Sequence, residues 1–181
     1  MKSLKDLLSD KVVLKEDPTQ NLDLKIYCDL DGVLTDFDER FEHFSGVTPS
    51  EYKDRFGEAK FWNLIDNEVG LKFWSKMGWM PGGKQLWEYI SNFNTQILTS
   101  PSRHENSRLG KNMWVKENLN PTPRVNFAYS SDKQRFANPN SILIDDKKSN
   151  INEWAARGGI AIRCKDGNIK PVLDRLKELG I

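Results

Sequence analysis

Two aspartates, Asp29 and Asp31, follow the apolar run Leu24–Cys28 and stand beside Gly32. The run has the composition of a buried strand, and a glycine next to it lets the chain turn away. Both carboxylates can therefore converge on one point beyond the strand. A calcium loop is excluded, because counting from Asp29 the glycine comes fourth and Arg40 occupies the twelfth position, where such a loop needs an acid. The simpler alternative is an acidic turn without chemistry.

Polar residues follow three more strand candidates. They are Thr99 and Ser100 after Gln96–Leu98, Lys133 after Arg124–Phe127, and Asp145 and Asp146 after Ile142–Ile144. Each signal is weak alone, since a terminal threonine is often a helix cap and a loop lysine is usually solvated. Their order, with each following a strand, is hard to obtain by chance. Ligands of open α/β sheets bind beyond the carboxyl ends of the strands, where these side chains would meet.

Helical patterns separate most of the strands and define the elements that must position these residues. The helices are predicted at Lys84–Phe93, His104–Leu119, Ile151–Arg157 and Pro171–Leu179, and a fifth strand at Gly159–Arg163. Strands that alternate with helices predict a parallel sheet with helices on both faces. The segment from about Asp38 to Gly83 breaks this alternation. It holds the capping-box pattern Thr48-Pro49-Ser50-Glu51 and many aromatic residues, which predicts an all-helical insertion lying over the site.

This order of motifs resembles the haloacid dehalogenase superfamily of phosphohydrolases. The resemblance implies an α/β fold with a Rossmann-like parallel core and a helical cap inserted after the first strand. We predict a core of residues 21–37 and 84–181, a cap of residues 38–83 and an N-terminal extension of residues 1–20. The resemblance further implies that Asp29 is the nucleophile and Asp31 the general acid and base. It assigns Thr99, with Ser100, and Lys133 to the phosphoryl group, and Asp145 or Asp146 to a metal.

The chemistry of phosphate monoesters fits these roles. Their uncatalysed hydrolysis is among the slowest reactions known, so a site must gather positive charge and align the attack in line. Mg²⁺ prefers oxygen ligands, which the Asp29 carboxylate, the Asp31 carbonyl and one later acid can supply. Within the superfamily, the resemblance to its nucleotidase branch favours Asp146 over Asp145 for that third place. The expected enzyme is thus a Mg²⁺-dependent phosphohydrolase that forms an aspartyl phosphate.

A narrower resemblance concerns the substrate. Thr99-Ser100-Pro101, followed by Lys111, Trp114-Val115 and Lys116, looks like the 5'(3')-deoxyribonucleotidase branch. Lys111 either approaches the phosphate or is a solvated helix lysine. The branch implies a 5'-nucleotidase acting on nucleoside or deoxynucleoside monophosphates, with a base stacked on cap aromatics, for which Phe61 and Trp62 are the first candidates. The alternatives are a phosphatase of a sugar phosphate or other small metabolite, and a catalytically idle phosphate-binding module.

Composition limits the other function classes. The 181 residues include 27 Lys and Arg against 26 Asp and Glu, and a net charge of +1 favours neither a nucleic-acid duplex nor an anionic membrane as partner. Cys28 and Cys164 lie in or beside apolar runs and are expected to be packing residues of a protein in a reducing compartment. Charged residues are spread throughout residues 1–17, which argues against a signal peptide or a membrane helix there. We therefore expect a cytoplasmic enzyme whose partner is a small phosphorylated molecule.

Overall fold

A five-stranded parallel sheet forms the centre of the computed structural model, which describes residues 24–181. Its strands are β1 (Lys25–Cys28), β4 (Thr95–Thr99), β5 (Val125–Phe127), β6 (Ser141–Asp145) and β7 (Ile160–Arg163). Their order across the sheet is β5-β4-β1-β6-β7. All five were predicted, with ends that differ by at most one residue. The N-terminal extension, residues 1–20, lies outside the described residues.

The central strand β1 lies between β4 and β6, and the chain order reverses beside it. From β1 the chain passes to β4 and β5 on one side and then returns to β6 and β7 on the other. Side chains at the carboxyl ends of β1, β4 and β6 therefore share one crevice, which is where open α/β sheets bind ligands. Asp29 follows β1 directly, while Thr99 and Asp145 are the last residues of their strands.

Helices cover the two faces of this sheet. They are α5 (Gly83–Ile90), α6 (Glu105–Asn118), a 3₁₀ helix (Ser130–Phe136), α7 (Lys148–Ala156) and α8 (Lys170–Glu178). The four predicted α-helices are present, although α7 begins three residues earlier than predicted because its first turn is polar and lacks an apolar stripe. Among residues 24–181 no helix combines the length and hydrophobicity needed to cross a bilayer.

The cap is built from short helices between β1 and β4, as the insertion predicts. They are α1 (Phe37–Ser45), α2 (Pro49–Phe56), α3 (Glu58–Asn63), a π-helix (Leu64–Val69) and α4 (Leu71–Ser75). The capping box is present, because the Thr48 hydroxyl accepts from the Glu51 N–H at 3.2 Å and the Glu51 carboxylate accepts from the Thr48 N–H at 3.0 Å. Two short antiparallel strands, β2 (Thr35–Asp36) and β3 (Gly78–Trp79), close the cap at its base.

Helix α4 of the cap packs closely against α6 of the core. Gly110 makes this approach possible, since a Cβ at that position would lie 2.4 Å from the Trp74 Cβ. The Trp114 indole N–H donates to the Met77 carbonyl at 2.8 Å, and Lys76 pairs with Glu117 at 2.9 Å on the surface. The cap is thus joined to the core through side chains as well as through the two connecting segments of chain.

Both cysteines are packing residues, as expected. Cys28 lies at the end of β1 and Cys164 just beyond β7, and both are buried free thiols. They belong to the same cluster of buried apolar residues. Neither therefore supports a disulfide framework for this fold.

Candidate active site

A tight turn directly after β1 positions the two aspartates of the first motif. The Asp29 N–H donates to the Ile144 carbonyl at 2.9 Å, which fixes the end of β1 beside β6. The Leu30 carbonyl then accepts from the N–H groups of the next turn, including that of Leu34 at 2.8 Å. Gly32 has φ +76°, and a Cβ there would lie 2.7 Å from the Asp146 Oδ2. This position therefore needs glycine twice, for its backbone conformation and for the approach of Asp146.

The Asp29 carboxylate is held at both oxygens. Its Oδ1 accepts from the Leu30 N–H at 2.8 Å, and its Oδ2 lies 2.6 Å from the Lys133 Nζ. The same ammonium group lies 2.7 Å from the Asp145 Oδ2. Burial alone would lower the pKa of Lys133, but the carboxylates of Asp29 and Asp145 together raise it above its usual value. Lys133 therefore stays charged beside Asp29.

Asp31 is held by a second buried lysine. The Lys111 Nζ donates to the Asp31 Oδ2 at 2.6 Å, to the Thr99 hydroxyl at 2.9 Å and to the Ser100 carbonyl at 2.8 Å. Thr35 donates to the other Asp31 oxygen at 3.1 Å. Lys111 is fully buried, so the interpretation as a solvated helix lysine is wrong. The sequence signal that points to Lys111 is its spacing to Thr99 and Trp114.

The paired acids at the end of β6 have different environments. Asp145 is fully buried and accepts hydrogen bonds from Lys133, from the Asn150 amide at 2.9 Å and from the Lys147 N–H at 2.9 Å. The Asp146 side chain accepts no hydrogen bond from any other residue that the structure describes, and it lines a cavity. Burial, together with the carboxylates of Asp29 and Asp145, raises the pKa of Asp146 to about 7. Burial and the Asp29 carboxylate also raise the pKa of Asp145.

These acids can hold a metal ion. One carboxylate oxygen from each of Asp29, Asp145 and Asp146 lies within 4.8 Å of the other two. The donor set consists of oxygen atoms, which suits a hard cation such as Mg²⁺. A further observation fits a bound group here, because the Asn150 Oδ1 is buried without a hydrogen-bond partner among the described residues, and Asn150 lines the same cavity. A buried amide oxygen of this kind can accept from a metal-bound water.

A cavity of about 510 Å³, which we call the phosphate cavity, opens above these groups. Asp29, Asp31, Ser100 and Asp146 line it, together with Trp62 of the cap. Thr99 and Lys133 do not line it, since both side chains are buried. Five of the predicted residues thus meet at one cavity. Beneath its surface Lys133 contacts Asp29, and Thr99 is linked to Asp31 through Lys111.

The two aromatic candidates of the cap have different places. Phe61 is only 1% exposed and packs against Phe41 and Trp62, with ring centroids 4.6 and 5.0 Å away. It therefore belongs to the core of the cap and does not line the phosphate cavity. The prediction that Phe61 stacks on a substrate is corrected on this ground. Trp62, its neighbour on α3, does line the cavity.

Comparisons with known proteins find similarity in structure. No protein-family model and no curated sequence matches the chain. A hydrolase from Streptococcus pneumoniae TIGR4 is 19% identical, with a TM-score of 0.50 over 83% of this chain and 97% of that one. A predicted phosphatase from Clostridium acetobutylicum is 11% identical, with a TM-score of 0.50 over 87% and 90%. A HAD family enzyme from Bacteroides thetaiotaomicron, solved as a magnesium complex, is 16% identical, with a TM-score of 0.48 over 84% and 98%.

The first two similarities bear on the fold. Both solved proteins match across most of their own length and most of this chain. The predicted fold class, an α/β protein with a Rossmann-like parallel core and an inserted helical cap, is confirmed by them and by the sheet order. At these identities the similarity extends to the fold and no further.

Proposed function

We propose that this protein is a Mg²⁺-dependent phosphatase that cleaves phosphate monoesters through an aspartyl phosphate on Asp29. One observation carries the proposal: the Asp29 carboxylate lines the phosphate cavity between a cation and a further acid. Its Oδ2 lies 2.6 Å from the buried Lys133 Nζ, and it belongs to the same acid cluster as Asp146. A nucleophile between a buried cation and a metal-binding group is the arrangement that phosphoryl transfer requires.

The first half of the reaction uses both aspartates of the turn. Asp29 attacks phosphorus, so a new bond joins its carboxylate oxygen to phosphorus while the ester oxygen leaves. Asp31 gives its proton to that leaving oxygen as the general acid. The Lys111 ammonium group and the Thr35 hydroxyl hold the two Asp31 oxygens and so orient the carboxyl group for this transfer. Lys111 acts here as a positioning residue.

The second half regenerates the enzyme. Asp31, now a carboxylate, removes a proton from water, and the water oxygen attacks phosphorus. The bond between phosphorus and the Asp29 oxygen breaks, which releases inorganic phosphate and restores the free carboxylate. Ser100 lines the cavity and can donate its hydroxyl to a phosphoryl oxygen, while Lys133 offers positive charge beside Asp29. Thr99 supports the site indirectly, because its hydroxyl accepts from Lys111.

We assign the metal to Asp29, to the Asp31 backbone carbonyl and to Asp146. Asp146 is preferred over Asp145 because the Asp145 oxygens already accept from Lys133, Asn150 and the Lys147 N–H. When bound, Mg²⁺ supplies positive charge that neutralises the carboxylates and the phosphoryl oxygens. Asp145 then serves to hold Lys133 beside the nucleophile.

The preferred substrate class in this proposal is a nucleoside monophosphate, deoxy forms included. Trp62 of the cap lines the phosphate cavity, and an aromatic face at that place can stack on a nucleobase. Stacking of one base on one ring is worth about 1–3 kcal/mol, enough to select a nucleotide over a small phosphate ester. A sugar phosphate would gain less from such a ring.

Asp29→Asn and Asp31→Asn proteins test the mechanism. With p-nitrophenyl phosphate and Mg²⁺, Asp29→Asn should show no turnover, since an amide is a poor nucleophile. Asp31→Asn should turn over very slowly and accumulate phosphoenzyme, detectable as an added phosphoryl group in the intact mass. Full activity of folded Asp29→Asn would refute the covalent route. A wild-type protein that binds phosphate but cleaves no ester would identify an idle binding module instead.

A further inference from the structure

The loop between β4 and α6 forms one side of the phosphate cavity. Residues 100–102 follow the last residue of β4, and each of them lines that cavity. The Ser100 carbonyl accepts from Lys111 at 2.8 Å, and the Ser100 hydroxyl is the group that can donate to a phosphoryl oxygen. The course of this loop therefore decides where that hydroxyl meets the substrate.

An acid of the cap holds the same loop from the other side. The Ser102 hydroxyl donates to the Asp66 Oδ1 at 2.8 Å, and both residues are buried. The Ser102 oxygen also accepts from the His104 N–H at 3.2 Å, directly before α6 begins. One hydroxyl group thus joins the cap, the loop and the start of the helix that carries Lys111.

Asp66 is itself fixed by donors from two helices. The Trp74 indole N–H of α4 donates to the Asp66 Oδ1 at 3.3 Å, and the Asn106 amide of α6 donates to the Asp66 carbonyl at 3.2 Å. Asp66 lies in the π-helix, a type of distortion that is frequent at functional sites. Because side chain and main chain are both held, the Asp66 carboxylate has a defined orientation toward the loop.

The Asp66 carboxylate has no cation beside it. Among residues 24–181 it forms no ion pair, so its charge is met by the neutral donors of Ser102 and Trp74. Burying an acid in this way costs free energy that an apolar side chain would not cost. A hydrogen bond to an ionised acceptor, however, is about twice as strong as one between neutral groups. Asp66 is therefore better suited to hold the Ser102 hydroxyl than to fill space.

We propose that Asp66 of the cap is a positioning residue, which holds residues 100–102 through the Ser102 hydroxyl so that Ser100 meets the phosphoryl group. Asp66 does not line the phosphate cavity, so it acts only through Ser102. This inference rests on the proposed phosphatase function and deepens it, because it makes an acid of the cap part of the support for the phosphate-binding loop.

Steady-state kinetics with glycerol 2-phosphate, a small ester without a ring, test this role in Mg²⁺. Asp66→Ala and Ser102→Ala should each lower kcat by about 10²-fold, the loss that a displacement of about 1 Å near the reacting atoms can cause. KM should change far less, because the ester still binds while Ser100 is misplaced for the transition state. The doubly substituted protein should be no slower than the slower single variant, since both changes remove the same hydrogen bond. Asp66→Asn keeps an acceptor oxygen and should recover most of the lost kcat.

Ser107→Ala is the matched control. Ser107 is a fully buried serine of α6, and its hydroxyl donates to the His104 carbonyl at 3.0 Å, within the core. Its loss should lower the thermal midpoint, as the loss of a buried hydrogen bond does, but leave kcat at the wild-type value. A merely structural role of Asp66 and Ser102 predicts that their variants behave in the same way as Ser107→Ala.

The outcomes separate the two levels of the argument. Folded Asp66→Ala and Ser102→Ala proteins with wild-type kcat overturn the positioning role and leave the phosphatase proposal standing. An equal loss of kcat in Ser107→Ala also overturns it, because loosening the start of α6 would then be sufficient. A folded wild-type protein that cleaves neither glycerol 2-phosphate nor p-nitrophenyl phosphate in Mg²⁺ overturns the phosphatase proposal itself. Thermal unfolding identifies a variant that has failed to fold, and Ser102→Ala, which loses a single oxygen atom, then decides in place of Asp66→Ala.

Discussion

Replacing Lys133 by methionine should destabilise the metal-free protein strongly. The Lys133 side chain is 1% exposed and lies within 2.7 Å of Asp145, whose side chain is fully buried, and within 2.6 Å of Asp29, whose side chain is 10% exposed. Methionine has a similar length, so it leaves little empty space but also leaves two buried carboxylates without their cation. Removing one partner of such a buried pair costs about 3–5 kcal/mol in the free energy of unfolding.

Urea and thermal unfolding in EDTA at neutral pH measure this change. For a domain of this size each kcal/mol corresponds to about 2–4 °C, so we expect the midpoint to fall by about 6–20 °C. Lys116→Met is the matched control, because Lys116 is an exposed residue of α6, and its free energy of unfolding should stay within about 0.5 kcal/mol of wild type. Added Mg²⁺ should raise the midpoint of Lys133→Met more than that of wild type, since the ion restores positive charge beside the same carboxylates.

One result would refute this reasoning. If Lys133→Met unfolds at the same urea concentration as Lys116→Met, the two short contacts of Lys133 contribute nothing net, and the acid cluster tolerates its own charge without the lysine. If Lys133→Met loses stability but Mg²⁺ raises its midpoint no more than that of wild type, the ion-pair argument holds and the assignment of the metal to these carboxylates is contradicted.

Three further predictions concern neighbouring groups. Asp146→Asn should abolish Mg²⁺ binding in titration calorimetry, and equal Mg²⁺ binding by this variant and wild type would contradict the metal assignment. Asp145→Asn should chiefly lower the free energy of unfolding, by about 3–5 kcal/mol, because it removes the buried partner of the Lys133 cation. Lys111→Met should lower kcat for glycerol 2-phosphate by about 10²- to 10⁴-fold, the usual contribution of a positioned acid and base, while the exposed-lysine control on the same helix keeps its kcat. Gly110→Ala should lower the free energy of unfolding by about 1–3 kcal/mol, since the added Cβ would lie 2.4 Å from the Trp74 Cβ. If urea unfolding shows this variant to be as stable as wild type or more stable, α4 can move away from α6.

The sheet could be predicted from the sequence because its three central strands, β4, β1 and β6, are largely buried. Such strands appear as short apolar runs, and the polar residues that end them mark the edge where a site can form. The turn after β1 could be predicted for a similar reason, since Gly32 between two groups of acids signals a change in chain direction. These features depend on residues that are close together in sequence.

Features that depend on distant pairs could not be predicted. Lys111 looks like a surface residue because a buried lysine differs from a solvated one only in its partners, and its partner Asp31 is 80 residues away. The antiparallel pair of β2 and β3 has two residues on each side, too few to show any periodicity, and the whole cap separates the two strands in the chain. The choice between Phe61 and Trp62 depends on the direction of α3, since adjacent helical residues point to different sides of a helix.

The charge balance of the site gives a reason for the metal that is independent of any similarity. Four carboxylates, those of Asp29, Asp31, Asp145 and Asp146, meet at this end of the sheet, and two buried ammonium groups, from Lys111 and Lys133, face them. If all four were ionised, two negative charges would remain without a buried cation among residues 24–181. Burial and the carboxylates of Asp29 and Asp145 raise the pKa of Asp146 to about 7, which shows that this excess is unfavourable without a further cation. A phosphate monoester would bring further negative charge into the same cavity. A divalent cation would offset the excess of the carboxylates, whereas a third lysine would supply only half of that charge.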